Sequence, residues 1–87
     1  MPGQPQLRES AVLHVVGNEY AILAMVRLEQ LMDGSGRWVI LLNDPAWEQE
    51  SQRVEFDDEK PARAALAQVY ADGEAQGVWK VNRPEPY

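Results

Sequence analysis

The sequence contains no cysteine and only one histidine in 87 residues. Without cysteine the chain has no disulfide framework, no thiolate nucleophile and no cysteine-ligated metal site. A single histidine cannot supply the two or three imidazole ligands of a typical catalytic metal centre. Glycine-rich phosphate-binding patterns and the G-x-S-x-G turn of serine hydrolases are also missing. We therefore expect no metal and no cofactor, and a protein that acts by binding rather than by catalysis.

Long apolar runs are missing too. The longest unbroken run, residues 20–26, is far shorter than the ~20 residues that cross a bilayer. The first ten residues lack the basic and apolar segments of a signal peptide, so we expect a cytoplasmic protein without a membrane span. The length suits a single domain, which we assign to residues 10–83, with a flexible N-terminal arm at residues 1–9 and a proline-stiffened tail at residues 84–87.

Positive charge is scarce. Eight Lys and Arg residues oppose 14 Asp and Glu residues, which gives a net charge of −6. The basic residues are scattered singly along the chain, and no two are adjacent. Because binding to DNA or RNA depends on clustered cations that displace phosphate counterions, the sequence predicts no direct contact with nucleic acid.

Half of the acidic residues lie between positions 44 and 59, where Arg53 is the sole basic residue. We consider two interpretations: a solvated surface that maintains solubility, or a surface that binds a partner protein with a basic face. Trp47 lies inside this segment, where it is either a lid folded over the edge of the sheet or the aromatic anchor of an interface. Under the second interpretation the predicted partner-binding residues are Trp47, Asp44, Glu48, Glu50, Asp57 and Asp58.

Four short segments predict strands, and one segment clearly predicts a helix. Residues 11–16, 37–43, 52–56 and 78–82 are apolar or alternating and rich in β-branched and aromatic residues. Asp58 is placed to cap a helix that ends near Gly73, with Pro61 in its first turn. The apolar stripe of that helix consists of Ala62, Ala65, Leu66 and Val69.

Residues 20–32 decide the fold. Helical spacing relates the apolar residues Ala21, Ala24, Met25, Leu28, Leu31 and Met32. Asn18 is placed as an N-cap, and Gly34 is placed to end a helix. The pairs Gly17-Asn18 and Asp33-Gly34 also fit hairpin turns, which would make the segment a long strand. The poor two-residue alternation of residues 27–32 favours the helix.

With two helices the element order becomes β-α-β-β-α-β. This order predicts an α+β, ferredoxin-like fold with both helices on one face of a four-stranded antiparallel sheet. The alternative is a β-meander packed on the second helix alone. The first helix would carry Ile22, Leu23 and Val26 outside its core stripe, so either the second helix or another subunit must cover them. We expect a subunit, with a homodimer as the simplest case.

His14 is the remaining candidate for chemistry. It alternates with Leu13 and Val15 on the first strand, so it lies on the face away from the helices if those two residues pack against them. Arg53, Glu55 and Lys80 alternate in a way that places them on the same face. A histidine beside a carboxylate and two cations suits anion binding or proton transfer, whereas the structural interpretation is a half-buried strand residue with an ordinary hydrogen bond.

Two functional hypotheses follow from these patterns. The first is a small, non-enzymatic accessory or inhibitory subunit that binds a partner protein through the acidic surface containing Trp47. The alternative is a small-molecule-binding protein or enzyme of the dimeric α+β barrel type, with His14 at its centre. Only the alternative requires a closed apolar cavity beside His14 between two subunits.

Overall fold

The computed structural model describes residues 5–43 and 52–84, which form five strands and one helix. In chain order these elements are β1 (Gln6–Val15), β2 (Asn18–Gln30), β3 (Trp38–Asn43), β4 (Gln52–Phe56), α1 (Glu59–Glu74) and β5 (Val78–Asn82). The strands form one antiparallel sheet in the order β4-β3-β2-β1-β5. The first four strands are therefore a meander, and α1 connects β4 at one edge of the sheet to β5 at the other.

The predicted ferredoxin-like fold is wrong, because the segment predicted as the first helix forms β2. Gly17 and Gly34 adopt positive φ angles of 81° and 91° in the turns on either side of it. Asn18 stabilises a turn rather than a helix, since its Oδ1 accepts a hydrogen bond from the backbone N–H of Tyr20 at 3.1 Å. As a central strand, β2 pairs with β1 on one side and β3 on the other, and this tertiary pairing overrides its helical propensity. The observed fold instead has one helix and five antiparallel strands; like the alternative arrangement it contains a β-meander (β1 to β4) and a single helix, and β5 pairs with β1.

The other strands lie close to their predicted positions. β4 and β5 span the predicted residues 52–56 and 78–82, and β3 begins one residue later than predicted, at Trp38. β1 begins at Gln6, so residues 6–9, expected in the flexible arm, are the first four residues of a strand. Polar side chains hid this start, because Glu9 lies on the buried face of β1 although it is charged.

α1 begins at the predicted cap and buries the predicted stripe. The backbone N–H of Glu59 donates to Oδ1 of Asp58 at 2.7 Å. Ala62 and Leu66 are buried against the sheet, and Ala65 and Val69 pack beside them. The core between α1 and the sheet consists of Ala11, Val26, Leu28, Trp38, Ile40, Ala62 and Leu66.

The sheet face away from this core has no second layer among the described elements, because the one helix packs on the opposite side. We call this surface the open face. The strand registers assign to it Ser10, Val12, His14, Met25, Arg27, Glu29, Val39, Leu41, Arg53, Glu55 and Lys80. Exposure varies across this face, because Met25 is exposed whereas Val39 and Glu29 are buried.

Gly73 lies where the end of α1 meets β5. The Trp79 indole donates from Nε1 to the carbonyl oxygen of Tyr70 at 2.9 Å, and a Cβ added at Gly73 would lie 2.5 Å from that Nε1. Gly73→Ala must therefore displace the indole. We expect it to lower the free energy of unfolding by about 1–3 kcal/mol, although alanine is the better helix former. Urea denaturation followed by tryptophan fluorescence measures the change, and an unchanged midpoint would contradict the close packing.

Candidate functional site

Four of the six predicted partner-binding residues, Trp47, Asp44, Glu48 and Glu50, lie outside the described residues. Asp57 is almost fully exposed, and its Oδ1 lies 3.9 Å from Nε of Arg37. Asp58 is occupied as the N-cap of α1. In the described part of the acidic segment, Asp57 is therefore available to a partner, whereas Asp58 serves the fold.

The neighbouring acidic residues are also paired within the chain. An oxygen of Glu55 lies 3.2 Å from Nη2 of Arg53, and Oε2 of Glu59 accepts from Nε of Arg63 at 2.7 Å. Exposed ion pairs of this kind contribute little to stability, but they reduce the negative electrostatic potential that would attract a basic partner. The described acidic residues thus form a partly neutralised surface rather than an uncompensated patch.

The predicted oligomer-interface residues Ile22, Leu23 and Val26 do not form one surface. Val26 is 1% exposed and lies in the core beneath α1, so it is not on the surface of the chain. Ile22 and Leu23 are partly buried, and the side chain of Leu23 reaches towards Gly77 at the start of β5. The interface prediction depended on a helix, whereas a strand directs successive side chains to opposite faces.

His14 lies on the open face as predicted, but the predicted group around it does not form. Arg53 and Glu55 lie in β4, which β3 and β2 separate from β1. Three strand spacings of ~4.8 Å separate them across the sheet, about 14 Å, and the registers displace them by five to seven residues along the strands as well, so they lie more than about 20 Å from His14. Lys80 is closer, in the neighbouring strand, where it pairs with Val12. The Nδ1 atom of His14 lies 3.0 Å from the carbonyl oxygen of the next residue, which matches the structural interpretation.

The hairpin between β1 and β2 extends past the end of β3, because β3 pairs with β2 from Met25 to Gln30. We call residues 15–20 the hairpin tip. Val16 is 72% exposed and Tyr20 is 87% exposed, and Val15 is exposed beside them. A depression of about 430 Å³, open to solvent, is lined by His14, Gly17, Asn18, Glu19 and Tyr20. Exposed aromatic and aliphatic side chains around a concave surface are typical of protein-contact sites.

Glu9 is a buried carboxylate that is not among the residues predicted from the sequence. Its side chain is 3% exposed. Oη of Tyr70 donates to one carboxylate oxygen at 2.6 Å, and Nε of Arg83 donates to the other at 2.7 Å, with Nη1 of Arg63 at 3.6 Å. The carboxylate therefore joins β1 to α1 and to the segment that follows β5.

The protonation of this cluster follows from its contacts. Burial alone would raise the pKa of Glu9, but the hydrogen bonds from Tyr70 and Arg83 and the charges of Arg83 and Arg63 outweigh it, and the pKa of Glu9 is lowered. Burial and the adjacent carboxylate raise the pKa of Tyr70 well above its ordinary value. The hydrogen bond to Glu9 raises the pKa of Arg83. At neutral pH the cluster holds an ionised carboxylate, a neutral phenol and charged guanidinium groups.

Two guanidinium groups also flank the indole of Trp38. The Cζ atoms of Arg8 and Arg63 each lie 5.8 Å from its ring centroid. Nε of Arg8 donates to the Gln30 side chain at 3.1 Å. Within the described residues no buried side-chain nitrogen or oxygen lacks a hydrogen-bond partner. The buried carboxylate of Glu9 therefore has its hydrogen-bond partners within the fold, and its contacts stabilise that fold.

Two further findings concern the described ranges only. No three His, Asp or Glu residues lie close enough together there to hold a metal ion. No helix in the same part of the chain is long and apolar enough to cross a membrane. Comparison with protein-family models, with curated proteins and with solved structures finds no match to this chain.

Proposed function

We propose that this chain is a protein-interaction module that binds a partner protein through the hairpin tip. The observation that carries the proposal is the exposure of Val16 and Tyr20 at the end of a projecting hairpin. Burying a large apolar side chain in a partner contributes ~1.5–3 kcal/mol. Tyrosine is also among the residues that dominate binding energies at interfaces, because it combines an apolar ring with a polar hydroxyl.

The strands that carry the hairpin tip are paired on both sides, which lowers the conformational entropy that the tip would lose on binding. β1 and β2 form the middle of the sheet, with β3 and β5 on their outer sides. The tip is therefore an extension of the two best-supported strands rather than a long loop. A contact surface held in this way has little freedom to lose when a partner binds.

The charge of the molecule indicates the chemistry of the partner. The chain carries a net charge of −6, and Glu19 is the charged residue of the hairpin tip. A partner whose apolar pocket is bordered by basic residues fits both features. Electrostatic attraction of this kind raises the association rate more than the affinity, and salt weakens it.

The test compares two double variants that each remove two exposed apolar side chains. V16S/Y20S alters the hairpin tip, whereas M32S/V54S alters exposed residues elsewhere. The partner is first captured with the wild-type chain from an extract of the native host and identified by mass spectrometry, and its purified form is then titrated by calorimetry. We expect V16S/Y20S to weaken binding by about 10- to 100-fold, which corresponds to the loss of one interface anchor.

The control variant is expected to bind as the wild type does, and both variants should keep the wild-type urea midpoint. Equal affinities for V16S/Y20S and the wild type would contradict the proposal. If M32S/V54S loses binding and V16S/Y20S does not, the contact surface includes Met32 or Val54 rather than the hairpin tip.

A further inference from the structure

The depression at the hairpin tip coincides with an interruption in the pairing of β1 with β2. The register passes from the pair His14–Ile22 directly to the pair Val15–Asn18. Residues 19–21 of β2 therefore have no partner in β1. Such a bulge breaks the ladder of backbone hydrogen bonds locally and changes the direction of the side chains that it carries. This explains how two consecutive residues, 19 and 20, both line what we call the tip depression.

Two local hydrogen bonds hold the rim of the tip depression. The backbone N–H of Tyr20 donates to Oδ1 of Asn18 at 3.1 Å, which fixes the start of the bulge. Nδ1 of His14 lies 3.0 Å from the carbonyl oxygen of Val15 and is the donor in this contact, because a carbonyl can only accept. A neutral imidazole that donates from Nδ1 has a hydrogen-bond acceptor at Nε2.

The groups around the tip depression attract a cation. Glu19 is exposed and makes no ion pair with any other described residue. Tyr20 adds the electron-rich face of an almost fully exposed ring. Among the described residues that line the depression, none is lysine or arginine. Lys80 of β5 lies opposite Val12 and is not a lining residue, so the carboxylate has no cation beside it within the depression.

Arginine fits these acceptors better than lysine does. Its guanidinium group is planar, so it stacks on an aromatic ring and donates two parallel N–H groups to a carboxylate. It is also less strongly hydrated than an ammonium group, which matters in a depression that stays open to solvent. The volume of about 430 Å³ is near the small end of ligand pockets, which suits a single side chain rather than a whole small molecule.

We propose that an arginine side chain of the partner protein occupies the tip depression, where its guanidinium group stacks on Tyr20 and pairs with Glu19. This inference rests on the proposed function and adds to it the residue type that the basic border of the partner presents. The net charge of −6 favours the approach of such a partner.

The first test uses a model peptide and therefore does not require the partner. Acetyl-Gly-Arg-Gly-amide is titrated into isotope-labelled protein at pH 7.5, where histidine side chains are ordinarily neutral. We expect amide chemical-shift changes confined to residues 14–21, with a Kd on the order of 10 mM, as suits one exposed ion pair and one cation–π contact. The lysine peptide should bind at least about threefold more weakly. The citrulline peptide, which keeps the shape of arginine without its charge, should not bind.

Two variants each remove one of the proposed contacts and leave an exposed side chain of similar size. Glu19→Gln removes the charge, and Tyr20→Leu removes the aromatic ring. We expect each to weaken binding of the arginine peptide at least about threefold. Glu74→Gln makes the same charge change at an exposed position of α1 and should bind as the wild type does. All three variants should keep the wild-type urea midpoint, because the positions are exposed.

Three results with the peptide would each overturn the inference. They are shifts spread over the whole protein, equal shifts with the citrulline peptide, and an unchanged affinity in Glu19→Gln.

Titration of the purified partner separates a failure of this inference from a failure of the proposed function. Glu19→Gln should weaken partner binding by about 3- to 10-fold, whereas Glu74→Gln should not. If V16S/Y20S weakens partner binding and Glu19→Gln does not, the hairpin tip remains the contact surface and the arginine site is wrong. If neither variant weakens binding, the inference and the proposed function are both wrong.

Discussion

Val26→Asp is expected to unfold the chain under conditions in which the wild type is folded. Val26 is fully enclosed between the sheet and α1. An aspartate at this position has no partner for its charge, and the penalty exceeds about 4 kcal/mol. That is most of the stability of a small domain. Far-UV circular dichroism and urea denaturation at low protein concentration measure the loss.

Met25→Asp is the matched control. Met25 is the preceding residue of β2, lies on the open face and is exposed. We expect its substitution to change the free energy of unfolding by less than about 1 kcal/mol, as for most surface positions. A helical segment would give the opposite order, because Met25 lies in the apolar stripe of the predicted helix and Val26 does not. If Val26→Asp cannot be purified, Val26→Ala and Met25→Ala make the same comparison with smaller effects. Equal losses in the two alanine variants would contradict the placement of β2.

Glu9→Gln is expected to lower the free energy of unfolding by about 3 kcal/mol at pH 7. The substitution keeps the size of the side chain but removes the charge that accepts hydrogen bonds from Tyr70 and Arg83. Hydrogen bonds to a charged, buried group contribute ~1.5–3 kcal/mol, and breaking such a network leaves its other members poorly paired. Glu74→Gln, an exposed change of the same kind in the last turn of α1, should be nearly neutral.

The pH dependence gives an independent measurement of the same carboxylate. The pKa of Glu9 is lowered in the folded chain. Its ionised form therefore stabilises the fold above the ordinary glutamate pKa of ~4.3, and this contribution is lost as the pH falls through the lower, folded value. We expect the difference between wild type and Glu9→Gln to shrink steadily as the pH falls from 5 towards 3. A constant difference over this range would show that folding does not lower the pKa of Glu9.

Local sequence signals were sufficient for the α+β class and for four of the six elements. α1 combines a cap, a first-turn proline and an apolar stripe, and β5 is a short β-branched run between turn residues. Each of these signals lies within the element itself. The predictions of α1, β3, β4 and β5 are confirmed for that reason.

β2 could not be recognised in this way. β2 carries apolar residues on both faces, since Met25 lies on the exposed face and Val26 lies in the core, so the segment lacks the alternation of apolar and polar residues that identifies a half-buried strand. Its alanines, leucines and methionine are good helix formers, and its true partners are β1 and β3 rather than a helix. The hairpin signals at Gly17 and Gly34 were visible in the sequence but were outweighed by apparent helical periodicity.

The candidate sites depend even more on distant contacts. Glu9 meets Tyr70 and Arg83, which are 61 and 74 residues away along the chain. The two-residue alternation of Glu9 with Ala11 and Leu13 was the available signal, and it does not say which groups neutralise the carboxylate. The exposure of Tyr20 likewise depends on where β3 starts to pair with β2, which no local pattern specifies.

The antiparallel pairing of β1 with β5 brings both described ends of the chain to one side of the molecule. Arg83 reaches Glu9 near the beginning of β1, whereas the hairpin tip lies at the other end of that strand. Six residues of extended strand, from Glu9 to Val15, separate the two, about 20 Å. A fluorophore, an affinity tag or a solid support added before residue 5 or after residue 84 therefore joins the described structure at the end of β1 opposite the hairpin tip.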